Sequence, residues 1–170
     1  LLNKANEIEA ELQENCPEAV PFFKGCFLNT IETTVKELSD GSYFVITGDI
    51  PAMWLRDSAA QVKPYIRYAN EDEDLKNILK SIIEKHAFYV CLDPYSNAFN
   101  SEANPDSAKD ETDFYHELIW ERKYEVDSLC APLYLAHEYY ETTLDTSIFT
   151  EQFHEMLIKI YETFKQEQNH

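Results

Sequence analysis

Apolar side chains recur at the i, i+3, i+4, i+7 spacing of an α-helix in three long stretches, and this period constrains the fold more than any other feature. Leu75, Ile78, Leu79, Ile82, Ile83, His86 and Val90 form one stripe, with Lys76, Asn77, Lys80, Glu84 and Lys85 on the opposite face. Val126, Leu129, Cys130, Leu133 and Tyr140 form a second, and Phe149, Phe153, Met156, Leu157, Ile160 and Phe164 a third. The spacing also predicts a helix through Phe27, Leu28, Ile31, Val35 and Leu38, ended by Asp40-Gly41, and a more polar one over Leu1 to Glu14. The acidic run Glu71 to Asp74 suits the positive end of the helix that follows it. His86, on an apolar face, reads as a hydrogen-bonded core histidine. One stretch departs from the period. Tyr43-Phe44-Val45-Ile46-Thr47 is β-branched and aromatic, follows a glycine turn, and predicts a short strand. The fold class is therefore all-α, with helices separated by loops of alternating length, as in stacked helical hairpins.

Several functions are excluded by composition. Gly25, Gly41 and Gly48 are the only three glycines, too far apart to write a dinucleotide-binding fingerprint or a phosphate loop. Lys and Arg number 14 against 32 Asp and Glu, a formal net charge of −18. Such a chain repels phosphate backbones and anionic lipid heads, so neither nucleic acid nor a membrane surface is an expected partner. No apolar run reaches the roughly 18 residues of a membrane span. No N-glycosylation sequon occurs, which agrees with a cytoplasmic location. Cys16, Cys26, Cys91 and Cys130 lack zinc-site spacing and read as structural thiols, with Cys91 and Cys130 as small buried hydrophobes in helical runs. His116-Glu117, His137-Glu138 and His154-Glu155 lack the second histidine of a zincin motif. His137 and Glu141 share a helix face, but two ligands make a poor site. No metal or cofactor is expected.

Two constellations carry chemistry. The first is Thr47-Gly48-Asp49-Ile50-Pro51-Ala52-Met53-Trp54-Leu55-Arg56-Asp57-Ser58, which joins the strand to a helix. Ser58-Ala59-Ala60-Gln61 resembles a capping box and predicts a helix start near Ser58. Trp54, Arg56 and Asp57 then sit on a loop at a helix N-terminus, and their types suit a sugar. An indole offers a flat apolar face, a guanidinium donates to neighbouring hydroxyls, and a carboxylate accepts from them. The structural alternative is an Arg56–Asp49 ion pair fastening the loop over a Trp54 core. The second is Trp120-Glu121-Arg122-Lys123-Tyr124-Glu125-Val126-Asp127-Ser128. Read as helix, it puts Glu121 and Glu125 one turn apart, as hydroxyl binders or a solvated face and not as a catalytic pair straddling a glycosidic bond. Between them, Asp93 to Thr112 reads as a long polar loop of the kind that tends to carry function.

The first constellation, the run Asp93-Pro94-Tyr95-Ser96-Asn97-Ala98-Phe99-Asn100 and the second constellation through Cys130 together resemble glycoside hydrolase family 125. That resemblance implies an inverting, exo-acting α-1,6-mannosidase on an (α/α)6 barrel, acting on α-mannosides or N-glycan-derived oligosaccharides without a metal or other cofactor. Ala131-Pro132 departs from the family's usual aromatic before proline. Members of the family are considerably longer, so residues 1–170 are expected to be a single partial domain, the first third or so of such a barrel, with the remainder of the barrel as its partner. The resemblance implies Trp54, Arg56, Asp57, Asn97, Asn100, Glu125 and Asp127 as substrate-binding residues. It implies no catalytic residue in the chain, the general acid and base lying beyond His170. The rival of another class is a non-catalytic carbohydrate-binding or helical interaction module that keeps the same loops.

Overall fold

Helix α4 (Glu73–Leu92) runs through the centre of the molecule and buries Leu75, Leu79, Ile82, Ile83, His86, Ala87, Tyr89 and Val90. A computed structural model describes residues 1–104 and 114–168 of the chain. Asp72 caps α4 by accepting a 3.0 Å hydrogen bond from the Leu75 amide, so the acidic run seats the helix N-terminus as its charge suggests. The other helices are α1 (Leu2–Asn15) and α2 (Val20–Cys26), which pack on each other, and α3 (Leu55–Val62), α5 (Val126–Thr143) and α6 (Glu151–Glu167). Helix α6 packs along α4, and α5 packs on both α3 and α4. Their buried faces form one continuous core.

The strands are short and form two sheets. In the first, β1 (Val35–Glu37) pairs antiparallel with β2 (Tyr43–Val45), Val35 opposite Val45. In the second, β3 (Met53–Trp54), β4 (Ala98–Phe99) and β5 (Ile119–Glu121) pair antiparallel in that order. Phe99 of β4 stacks on Tyr89 of α4 with ring centroids 4.4 Å apart, anchoring the second sheet to the central helix.

The predicted helix through Val35 and Leu38 is a correction. A π-helical turn over Thr30–Thr34 ends it, and Val35–Glu37 is strand. Thr33 and Thr34 bond back to the carbonyls of Asn29 and Thr30 within that turn, and the β-branched Val35 that follows is the first extended residue. Asp40-Gly41 is the turn of a hairpin, Gly41 taking φ +79° and Asp40 accepting from the Ser42 amide at 2.8 Å. In α5 the buried face is Ser128, Leu129, Pro132, Leu135, Ala136 and Tyr139, whereas Val126 and Cys130 are exposed. The buried face is turned from the predicted stripe: Leu129 is buried and Leu133 and Tyr140 are half-buried against the core, while Asp127, Cys130, Tyr134, His137 and Glu141 lie along the exposed side. Cys91 is half-buried and Cys130 exposed, not the buried pair expected; burial pushes the Cys91 thiol up to about 11. The predicted long loop contains β4, and its part from Pro105 to Thr112 lies outside the described residues.

His86 is fully buried with its Nε2 at 2.8 Å from Ser58 Oγ, and burial lowers its pKa to about 3. An unfolded histidine titrates near 6.5. The native state therefore excludes a proton that the unfolded state binds below that value. Stability should be fullest above about pH 6.5 and fall as pH drops towards 3. Urea titrations between pH 5 and 7 should show a slope of one proton taken up on unfolding, flattened in His86→Gln. At the C-terminus of α5, Leu144 adopts φ 54° with its side chain 71% exposed. That conformation costs a branched residue about 1 kcal/mol while burying little of it. Leu144→Gly should raise the melting temperature by a few degrees.

Candidate active-site wall

The turn before α3 is folded by its own polar groups. The Thr47 amide and hydroxyl both donate to the Ala52 carbonyl at 3.2 Å, and Gln61 Nε2 holds the Thr47 carbonyl at 3.0 Å. Gln61 is thus committed to this loop and not to a capping box. The helix begins at Leu55 with Trp54 as its N-cap, and Ser58 lies inside it, bonding back to the Trp54 carbonyl. The predicted helix start near Ser58 is corrected accordingly. Met53 and Leu55 are fully buried, so strand alternation turns Trp54 the other way, with Arg56 following on the exposed side of the first helical turn.

The second sheet carries the rest of the wall. The Leu55 amide donates to the Asn97 carbonyl at 3.0 Å, and the Asn97 amide donates to the Glu121 carbonyl at 3.2 Å. Asn97 Nδ2 then donates to Glu121 Oε2 at 2.7 Å, which also accepts from Trp54 Nε1 at 3.4 Å. Glu121 is therefore on β5, not one helical turn from Glu125. Residues 122–125 are not helical, and Glu125 is the N-cap residue of α5. Its burial raises the carboxyl pKa, but hydrogen bonds from Ser128, Lys123 and Asn97 outweigh that and hold it below the ordinary glutamate value.

Arg56 spans the two constellations. Its Nη1 donates to Asp127 Oδ2 at 2.8 Å and its Nη2 to Asp57 Oδ2 at 3.2 Å. Asp127 also accepts from the Ser128 amide at 3.0 Å, in the first turn of α5. The hydrogen bond that Arg56 donates holds Asp127 below its ordinary pKa, and the same bond, accepted by Asp127, raises the guanidinium in turn. Asp49 is exposed, and Arg56 pairs with Asp57 and Asp127 in place of the Asp49 partner considered from sequence. A depression of about 200 Å³ opens among Asp49, Ile50, Trp54, Arg56 and Asp57. That is below the roughly 300–1,000 Å³ of a complete small-molecule pocket. It is a shallow depression lined by the Thr47–Asp57 segment alone.

Six of the seven sequence-predicted residues thus fall in two adjacent hydrogen-bonded clusters: Trp54 and Asn97 meet at Glu121, and Asp57, Arg56, Asp127 and Glu125 are joined through Ser128. Asn100 stands apart, 5% exposed at the end of β4, with Nδ2 donating to the Glu117 carbonyl and its own carbonyl accepting from Tyr89 Oη. Glu121, where Trp54 and Asn97 meet, is a hydroxyl-binder candidate of the second constellation that the family resemblance leaves out. Its signal was a carboxylate flanked by Trp120 and Arg122, obscured by placing it on a helix. Among the described residues no group of three or more His, Cys, Asp or Glu is arranged to hold a metal ion, and His137 is exposed. No described helix is long and apolar enough to cross a membrane.

A family described as metal-independent alpha-mannosidase (GH125) matches residues 17–170. The chain belongs to this family. In Schizosaccharomyces pombe, the Meiotically up-regulated gene 157 protein is 33% identical over 156 residues, 85% of this chain and 30% of that protein. A solved Streptococcus pneumoniae member, described as a metal-independent alpha mannosidase in a non-productive complex with α-1,6-mannobiose, superposes with a TM-score of 0.91. It is 42% identical, and the match covers 99% of this chain and 40% of that one. The chain spans less than half the length of either relative. As a GH125 chain it folds as part of an (α/α)6 barrel.

Asn97 is 1% exposed, and its amide donates to Glu121 at 2.7 Å and helps to hold the Glu125 carboxyl below its ordinary pKa. Asn97→Ala leaves both carboxylates short of a partner, at a cost of about 1–3 kcal/mol. Urea denaturation should show that loss, with Asn97→Asp more damaging still because it adds a like charge.

Proposed function

We propose that this chain forms the N-terminal part of an inverting, exo-acting α-1,6-mannosidase that releases the non-reducing terminal mannose of α-mannosides or N-glycan-derived oligosaccharides. The reading is carried by the Arg56–Asp127 bridge, which draws the Trp54–Asp57 turn and the head of α5 onto one carboxylate-rich wall. Such a wall suits a neutral polyol, whose hydroxyls donate to carboxylates and accept from a guanidinium. Arg56 uses two N–H groups on Asp57 and Asp127 and is half exposed, so its other donors are free to meet sugar hydroxyls. Asp57, Glu125 and Asp127 accept from hydroxyls, and the Trp54 indole lies against the apolar face of the ring. Asn97 holds the carboxylates in place, and Asn100 supports the wall from behind.

The general acid and base belong beyond His170, on the remainder of the barrel. There the acid protonates the glycosidic oxygen while the base takes a proton from water attacking the anomeric carbon from the opposite face. Inversion sets the two carboxyl groups about 6.5–9.5 Å apart. No cofactor takes part in this scheme, and the enzyme is assigned to the cytoplasm.

The intact protein should release mannose from α-1,6-mannobiose, with β-mannose as the first anomer seen by proton NMR. Arg56→Ala should lower kcat/KM through loss of charge-assisted hydrogen bonds, each about 1.5–3 kcal/mol. The exposed ion pairs it removes are each worth at most about 1 kcal/mol of stability, so the melting temperature should move little. Wild-type turnover in that variant would take Arg56 out of the site. Mannobiose binding by the intact protein without mannose release would make it a carbohydrate-binding module instead.

A further inference from the structure

Ser58 and His86 are both fully buried and lie on different helices, α3 and α4, with Ser58 Oγ 2.8 Å from His86 Nε2. The same hydroxyl is 2.6 Å from the Trp54 carbonyl and 3.2 Å from that of Leu55. It has one proton to give. The short contact assigns that proton to the Trp54 carbonyl, which leaves the hydroxyl oxygen to accept from His86 Nε2–H. The imidazole is then neutral, with an unprotonated Nδ1 that has no partner among the described residues. A bare acceptor is the less costly of the two ring atoms to leave unpaired. Through Ser58, the central helix thereby grips the peptide group that opens α3, and Trp54, Arg56 and Asp57 ride on that turn.

Core filling does not require this pair, since replacing both partners by apolar groups of similar shape is close to neutral for stability. We propose that Ser58 and His86 form a positioning pair that fixes the Trp54–Asp57 turn for the sugar; this deepens, and rests on, the mannoside reading above. Neither residue touches the substrate.

The test is the double variant Ser58→Ala/His86→Leu of the intact protein, read three ways. Its melting temperature should stay close to wild type while kcat/KM on α-1,6-mannobiose falls about tenfold or more, as small misplacements of binding groups do. The ¹⁹F resonance of 5-fluorotryptophan at Trp54, assigned by its loss in Trp54→Phe, should shift or broaden. His86→Gln keeps an N–H donor towards Ser58 and should restore both the resonance and, to within about threefold, kcat/KM. A double variant with wild-type turnover and an unmoved resonance overturns the proposal. Should the double variant not fold, Ser58→Ala alone decides between the same outcomes by the same two readouts. If the wild-type protein releases no mannose, the mannoside reading falls. The resonance then decides the pair by itself: unmoved in the double variant it overturns the positioning role, and moved but restored in His86→Gln it upholds it.

Discussion

Asn97 is the knot on which the wall depends. Its carbonyl accepts from Leu55, its amide donates to Glu121, and its side chain donates again to the Glu121 carboxylate. Three segments separated by some forty and twenty residues are thus tied at one buried point. The strand carrying it is itself immobilised, because Ala98 and Phe99 are fully buried and Phe99 stacks on Tyr89. Displacing β4 would unstack that ring and strand several backbone groups without partners, each costly when buried.

A second tie joins the far end of α4 to the same region. Asp93, 5% exposed, accepts from Arg122 Nε at 2.8 Å and from Ser96 Oγ at 2.6 Å. An aspartate at a helix C-terminus opposes the helix dipole. Here Arg122 compensates, its guanidinium lying 5.3 Å from the ring centroids of both Tyr95 and Phe114. Tyr95 in turn donates to Glu167 of α6 at 2.9 Å. The loop between β5 and α5 is therefore shaped by packed, charge-assisted contacts.

Stability and the proposed recognition fall to different side chains. The core of α4, α5 and α6 supplies the apolar burial, about 25 cal/mol for each square ångström removed from water. The Arg56 ion pairs are half exposed and contribute little to that. Their effect is geometric: they hold a guanidinium and two carboxylates in fixed relative positions, which under the proposed mannoside reading would leave less to be ordered on binding. The excess of carboxylates at this wall follows the acidity of the whole chain, whose field favours a neutral polyol over an anionic ligand.

The central helix and its buried face, the acidic cap, the core role of His86 and the three motifs that carry the family likeness were all legible in the order of residues. Each depends on neighbours within a turn or two, where the 3.6-residue period and capping chemistry act locally. What the order of residues could not decide was which of several locally sensible options would win. Val35 fits a helical stripe as well as a strand, and pairing of Val35–Glu37 with Tyr43–Val45 across the hairpin selects the strand. Ser58 and Gln61 write a capping box, but His86 and the Thr47 carbonyl claim their side chains. Glu121 fits a helix face until the backbone of Asn97 draws it into a sheet. In each case the deciding partner is a hydrogen-bonding group brought close by folding, and a buried polar group takes the partner that leaves fewest others unpaired.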